Sequence, residues 1–240
     1  KDYEREGPLL QELDRINASI EHLRASNQDV SSPESPALQR LQQEFKEAQK
    51  RADEWVIGNE MAQLYKRHGA GGLNASTGKD VTRYTVSLPA NRLPLWAAVE
   101  ADRMANPVLR EFYKERAVVM EERRLRTEDN PNGLLYEAFA AAAFQAHPYG
   151  FPTIGWASDI LSLTPSATEQ FFHTYYGPAN AVVAIVGDLK PPEAIALIER
   201  TFGKIAGTPL PPRVVTVEPP QRGERRVEVV LGVAASAILF

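Results

Sequence analysis

Val81-Thr82-Arg83-Tyr84-Thr85-Val86-Ser87-Leu88 changes side-chain character at every second residue and is rich in β-branched residues, the pattern of a half-buried strand. Most of what surrounds it reads as helix. Residues 94–104, 111–126, 134–145 and 165–175 carry helical spacing, and 192–202 does so after a second strand candidate, the apolar run Ala181-Val182-Val183-Ala184-Ile185-Val186, closed by Gly187-Asp188. A third strand candidate spans 226–231. The order predicts an α+β fold, an antiparallel or mixed sheet with helices layered on one face.

Upstream, Leu9, Leu13, Ile16, Ile20 and Leu23 recur at spacings of three and four, as do Leu38, Leu41, Phe45, Ala48, Ala52 and Trp55. Each set is the seam of an amphipathic helix. The polar, proline-bearing stretch from Asn27 to Pro36 separates them, with Ser35 and Pro36 suited to the cap and first position of the second helix. An antiparallel hairpin is expected, its seams turned toward its own domain rather than offered as a partner-binding arm.

Composition narrows the function. The 240 residues are 43% apolar and carry 27 Lys and Arg against 31 Asp and Glu, a net charge of −4. That excludes wholesale disorder and leaves no basic footprint for nucleic acid. Without cysteine there is no disulfide framework and no thiolate ligand. No apolar run approaches the length of a membrane span. Pro209, Pro211, Pro212, Pro219 and Pro220 mark an extended linker. The chain opens without Met and closes on the apolar run Ala234 to Phe240, so it reads as a piece of a longer protein.

Two carboxylates stand out. Glu115 and Glu122 lie seven residues apart in a helical stretch, so they project from nearly one line, two turns apart. Spacing alone also fits a charged surface helix; the chemical reading is a metal ligand with a second carboxylate behind it. The four histidines, His22, His68, His147 and His173, form neither His-Glu-x-x-His nor His-x-x-Glu-His. His147, before Pro148-Tyr149-Gly150, is expected to meet the terminal carbonyls of a helix. The glycine-rich stretch from Gly69 to Thr77 lacks the order of a phosphate loop and fits a sharp turn feeding an edge strand, one that could take an extended peptide as an added strand.

Taken in order, Gly71-Gly72-Leu73-Asn74-Ala75-Ser76-Thr77 with Asp80 to Tyr84, then Ala101-Asp102-Arg103-Met104-Ala105-Asn106-Pro107, then Glu115 to Glu122, His147-Pro148-Tyr149-Gly150, Ile154-Gly155 and Val186-Gly187-Asp188 resemble the M16 family of zinc metallopeptidases. The family includes insulin-degrading enzyme, pitrilysin and the mitochondrial processing peptidases. The resemblance implies that Glu122 is the third zinc ligand, Glu115 the carboxylate behind it, and Asn74 and Ala75 the edge that holds the substrate backbone. His147 is no ligand in that picture. A zinc ion held by two histidines and a glutamate, with one position open, would polarise the scissile carbonyl and supply hydroxide near neutral pH.

The family's His-x-x-Glu-His is expected upstream of Lys1, which would leave this chain alone inactive. Residues 1–57 then read as a helical hairpin inserted in the same domain, 58–208 as the family's α/β domain, and 209–240 as the linker with the first strand of a second homologous half. The expected partners are a polypeptide substrate and that second half or a sister subunit, in the bacterial envelope. The alternative is a non-catalytic, peptide-binding or partner subunit of the same family. A helical scaffold built on the hairpin explains nothing after Gly58.

Overall fold

A computed structural model describes residues 3–26 and 35–231. The hairpin is present. Helix α1 (Tyr3–Ser26) and helix α2 (Pro36–Asp53) lie antiparallel, as the ion pair from Arg51 near the end of α2 back to Glu12 in α1, at 2.7 Å, requires. Ser35 caps α2, its hydroxyl accepting from the Leu38 amide at 3.3 Å, with Pro36 opening the helix. Most of the connection from Asn27 to Pro36 lies outside the described residues. Helix α1 runs through Pro8, whose ring nitrogen has no proton to donate, so the helix forgoes one backbone hydrogen bond there.

The helices that follow are α3 (Glu60–Arg67), α4 (Leu93–Ala105), α5 (Phe112–Arg123), α6 (Pro131–Ala143), the short α7 (Ala157–Ser162), α8 (Pro165–Tyr175) and α9 (Pro191–Thr201). Asn130 caps α6 and Thr164 caps α8, each followed by proline at the first helical position. Between α3 and α4 lies an antiparallel pair, β1 (Gly71–Thr77) and β2 (Thr82–Ser87), with Asn74 opposite Thr85 and Ala75 opposite Tyr84. The register slips between Gly71 and Asn74, where Gly72 takes a φ of 61°, a left-handed conformation that glycine reaches without a Cβ penalty.

The other two strand candidates are not strands. Among the described residues, 181–186 and 226–231 join no ladder, and Val182 and Val186 are 95% and 98% exposed. An apolar run shows what a segment would bury; a strand also needs a neighbour to accept its backbone hydrogen bonds. The described sheet therefore has two strands. The run from Ala234 to Phe240 lies outside the described residues.

One core cluster joins the hairpin to the rest: Leu13 of α1, Ala48 and Ala52 of α2, and Tyr113 of α5, with Leu9, Leu10, Ile16, Phe45 and Phe112 against them. Phe45 meets the Tyr113 ring edge-on at 5.1 Å. Leu13 is 1% exposed, so Leu13→Ala is expected to cost about 3 kcal/mol, lowering the urea midpoint at constant slope. A loss below about 1 kcal/mol would mean that the site collapses around the missing atoms. Tyr65 of α3 is fully buried, and its hydroxyl donates to Glu100 of α4 at 2.6 Å. Burial and that hydrogen bond raise the phenol above its usual pKa.

Candidate functional site

Helix α5 contains two Glu-Arg pairs, Glu115-Arg116 and Glu122-Arg123, seven residues apart. Successive residues are turned about 100° around a helix, so the two glutamates share one line and the two arginines another. The arginines fasten the helix. Arg116 donates to the carbonyls of Leu161 and Leu163 at 3.0 and 2.9 Å and to the buried Asn17 of α1 at 2.8 Å, and its guanidinium lies 5.0 Å from the centre of the Tyr113 ring. Burial lowers its pKa from the ordinary guanidinium value. Tyr113 in turn donates to Asp14 of α1 at 2.6 Å, and burial followed by this bond raises its phenol.

At the other end Arg123, with a side chain 6% exposed, forks onto Glu137 of α6 at 2.7 and 3.0 Å and donates to the Gly155 carbonyl at 2.8 Å. A planar guanidinium suits such a bidentate grip. The turn beyond it is π-helical (Arg124–Glu128), pressed by the start of α6 so closely that a Cβ on Gly133 would strike the Arg126 carbonyl and the Thr127 backbone.

With the arginines committed inward, the glutamate line faces solvent. Glu115 is exposed, Val118 between the two is 52% exposed, and the Glu122 side chain is 39% exposed. Glu122 pairs with Arg126 at 2.8 Å, an exposed i,i+4 contact worth at most about 1 kcal/mol. Along the axis the two glutamates stand ~10 Å apart, so one carboxylate, not both, can touch a given small ion. Among the described residues no three His, Asp or Glu side chains gather closely enough to hold a metal. They offer zinc one carboxylate and no histidine partner, so they do not make a zinc site by themselves.

Asn74 and Ala75 adjoin on β1, every residue of which is exposed. The Gly69–Thr77 stretch is thus itself mostly strand, with the turn at Gly69, where φ is 82°. Among the described residues β1 pairs with β2 alone, and its other edge can accept an added strand. On the facing position Tyr84 shares its hydroxyl with that of Tyr176 at 3.3 Å under the Arg103 guanidinium, and burial with that contact pushes the phenol up to about 12. Among the described residues no hydrogen bond or ion pair joins the Glu115–Glu122 line to Asn74 or Ala75.

His147 differs from its sequence expectation. Among the described residues its side chain meets no helix carbonyl; its Nδ1 accepts from the Tyr149 amide at 3.3 Å and so closes the turn after α6. His173 stands exposed 3.8 Å from Glu169, and His22 is exposed on α1. The sequence counts Arg123 with Glu121, Arg124 and Arg126 as the charged, solvated part of this helix and does not single out Arg116, although the repeated Glu-Arg pair is visible in it. The structure corrects this, since Arg123 is buried and both guanidiniums are committed inward. Nor does the sequence single out Glu218, whose partners are backbone amides and leave no trace in side-chain pattern.

Two family models match the chain, "Insulinase (Peptidase family M16)" over residues 40–156 and "Peptidase M16 inactive domain" over 162–238. The zinc protease PqqE of Helicobacter pylori is 38% identical over 145 residues, covering 60% of this chain and 32% of that protein. An uncharacterized zinc protease of Mycobacterium tuberculosis is 35% identical over 135 residues, 55% of this chain and 31% of its own. The chain thus spans about a third of the curated relatives it matches. Among solved structures, a protease from Helicobacter pylori superposes with a TM-score of 0.67 at 34% identity, over 72% of this chain and 42% of that one. The first half of the periplasmic protease PqqL from Escherichia coli shares the fold, with a TM-score of 0.57 at 24% identity over 66% and 35% of the two chains.

Proposed function

This chain belongs to the M16 peptidase family, and from that premise we propose that it works within a zinc-dependent metalloendopeptidase of the bacterial envelope. The proposed substrate is an extended polypeptide, laid as an added strand along β1 at Asn74 and Ala75. Glu122 is its proposed contribution to a metal site whose histidines lie outside the described residues, with Glu115 as the supporting carboxylate. The observation that carries the reading is the turn of α5. A helix fastened by Arg116 and Arg123 presents both glutamates to solvent instead of spending them on its own packing.

The relatives named as zinc proteases support the same chemistry. The second reading, a non-catalytic subunit that only binds peptides or a sister chain, shares the β1 edge and differs at Glu122.

The edge is testable in the 240-residue chain. Backbone amides of a strand point alternately to its two sides, so of Asn74→Pro and Ala75→Pro one removes an outward donor and the other an inward one. The outward replacement is expected to weaken binding of a fluorescent, extended peptide about tenfold, roughly one hydrogen bond, with the melting temperature little changed. The inward one should lower the melting temperature. Equal affinity for the peptide in both variants and the parent would remove β1 from the site.

A further inference from the structure

The turn after α6 is gripped by two segments. From the proline-rich stretch, Glu218 lays its carboxylate across three successive amides: Gln145 N donates to Oε1 at 2.7 Å, and Ala146 N and His147 N each donate to Oε2 at 2.9 Å. These amides, that of Gln145 foremost, hold the carboxyl at about 2. Arg225 completes the grip. Its Nη1 donates to the Ala142 and Ala143 carbonyls at 3.1 and 2.8 Å, where the end of a helix leaves carbonyls without partners, and lies 3.5 Å from Glu218.

The tip of the β1–β2 hairpin holds the same loop. The Tyr149 hydroxyl donates to Asp80 at 2.5 Å, and the Phe151 carbonyl accepts the Lys79 ammonium. Lys79 and Asp80 sit in the turn between β1 and β2, closed by the Gly78 amide donating to the Val81 carbonyl at 2.8 Å. The residues between the two grips are stiffened by ring contacts, His147 with Tyr149 at 4.6 Å and Phe144 with Tyr149 at 5.8 Å.

We propose that residues 145–151 form a junction through which docking of the 218–225 stretch sets the position of the β1–β2 hairpin, and with it the edge offered to a peptide. The last step rests on the peptide-edge reading above; the junction itself does not. Both grips order the same short loop, so whichever forms first bears that ordering cost and the other forms more readily. Coupling of this kind is reciprocal. Glu218 is then a positioning residue for the hairpin, acting through 145–151 with no contact to a peptide.

Amide hydrogen exchange on the 240-residue chain tests this. Glu218→Gln keeps the shape and removes the charge, and should speed exchange at 145–147 about tenfold, the loss of a charge-assisted hydrogen bond. The same variant should speed exchange in the β1–β2 ladder about threefold, with α2 unchanged, since coupled sites share only part of the effect. Tyr149→Phe, which leaves Glu218 and its three amides untouched, should loosen the ladder and also raise exchange at 145–147 a few-fold. A ladder unmoved in Glu218→Gln, or amides 145–147 unmoved in Tyr149→Phe, would overturn the junction.

Should Glu218→Gln not fold, the parent chain decides. In stepwise urea below its transition, amides 145–147 and the ladder should open at one concentration, and separate openings would overturn the proposal. Peptide binding to the parent is measured alongside. No binding there rejects the peptide-edge reading and the step that rests on it, whereas the exchange data decide the junction independently.

Discussion

Excising Pro8 to Trp55 and closing the gap with a short linker is expected to abolish the cooperative unfolding transition. The cut removes Leu13, Ala48 and Ala52, three of the four members of the shared core cluster, and uncovers Phe112 and Tyr113. Leu13 alone accounts for about 3 kcal/mol. It also takes Asn17 from Arg116 and Asp14 from Tyr113, and a half-buried polar group left without its partner costs roughly 1–3 kcal/mol. Together these reach the whole stability of an ordinary domain, about 5–15 kcal/mol. Thermal melting followed by circular dichroism reads the outcome. A single sharp transition in the excised chain would make the hairpin peripheral and the packing on α5 incidental.

The second large effect concerns metal. In a complete enzyme that carries the family's His-x-x-Glu-His, Glu122→Gln is expected to lower zinc affinity by more than roughly a hundredfold, beyond the range produced by losing an outer partner of a ligand, and activity with it. A neutral amide replaces an anionic donor there. Stability should hardly move, because the one ion pair lost, to Arg126, is solvent-exposed. Glu121→Gln, on the same helix and ion-paired to Arg124, is the control and should retain zinc. Metal content by mass spectrometry against melting temperature separates ligand loss from unfolding. Unchanged zinc in Glu122→Gln would remove Glu122 from the metal site.

How far the sequence carried the fold depended on which physical cause set each element. Helices with apolar seams and proline entries, such as Ser35-Pro36 and Thr164-Pro165, were legible because their causes are local. Residues 181–186 read as a strand in the sequence and form none among the described residues, because a strand is defined by its neighbour, which no single run of valines can reveal. The hairpin's seam showed that a face would be covered but not that Tyr113 of α5 would cover it. At the site, the line of Glu115 and Glu122 followed from helix geometry alone. The opposite commitment of Arg116 and Arg123 did not, since long cations on a charged helix usually remain solvated.

The division of labour on α5 has a bearing on descent. The groups that keep the helix in place, Arg116 and Arg123, are different atoms from the carboxylates that α5 turns to solvent. A duplicated gene could therefore exchange Glu122 for a neutral residue and still encode a folded protein. On the proposed reading of Glu122 as a ligand, working and silent copies in such a lineage stand one codon apart, and a silent copy is preserved as scaffold rather than purged as misfolded.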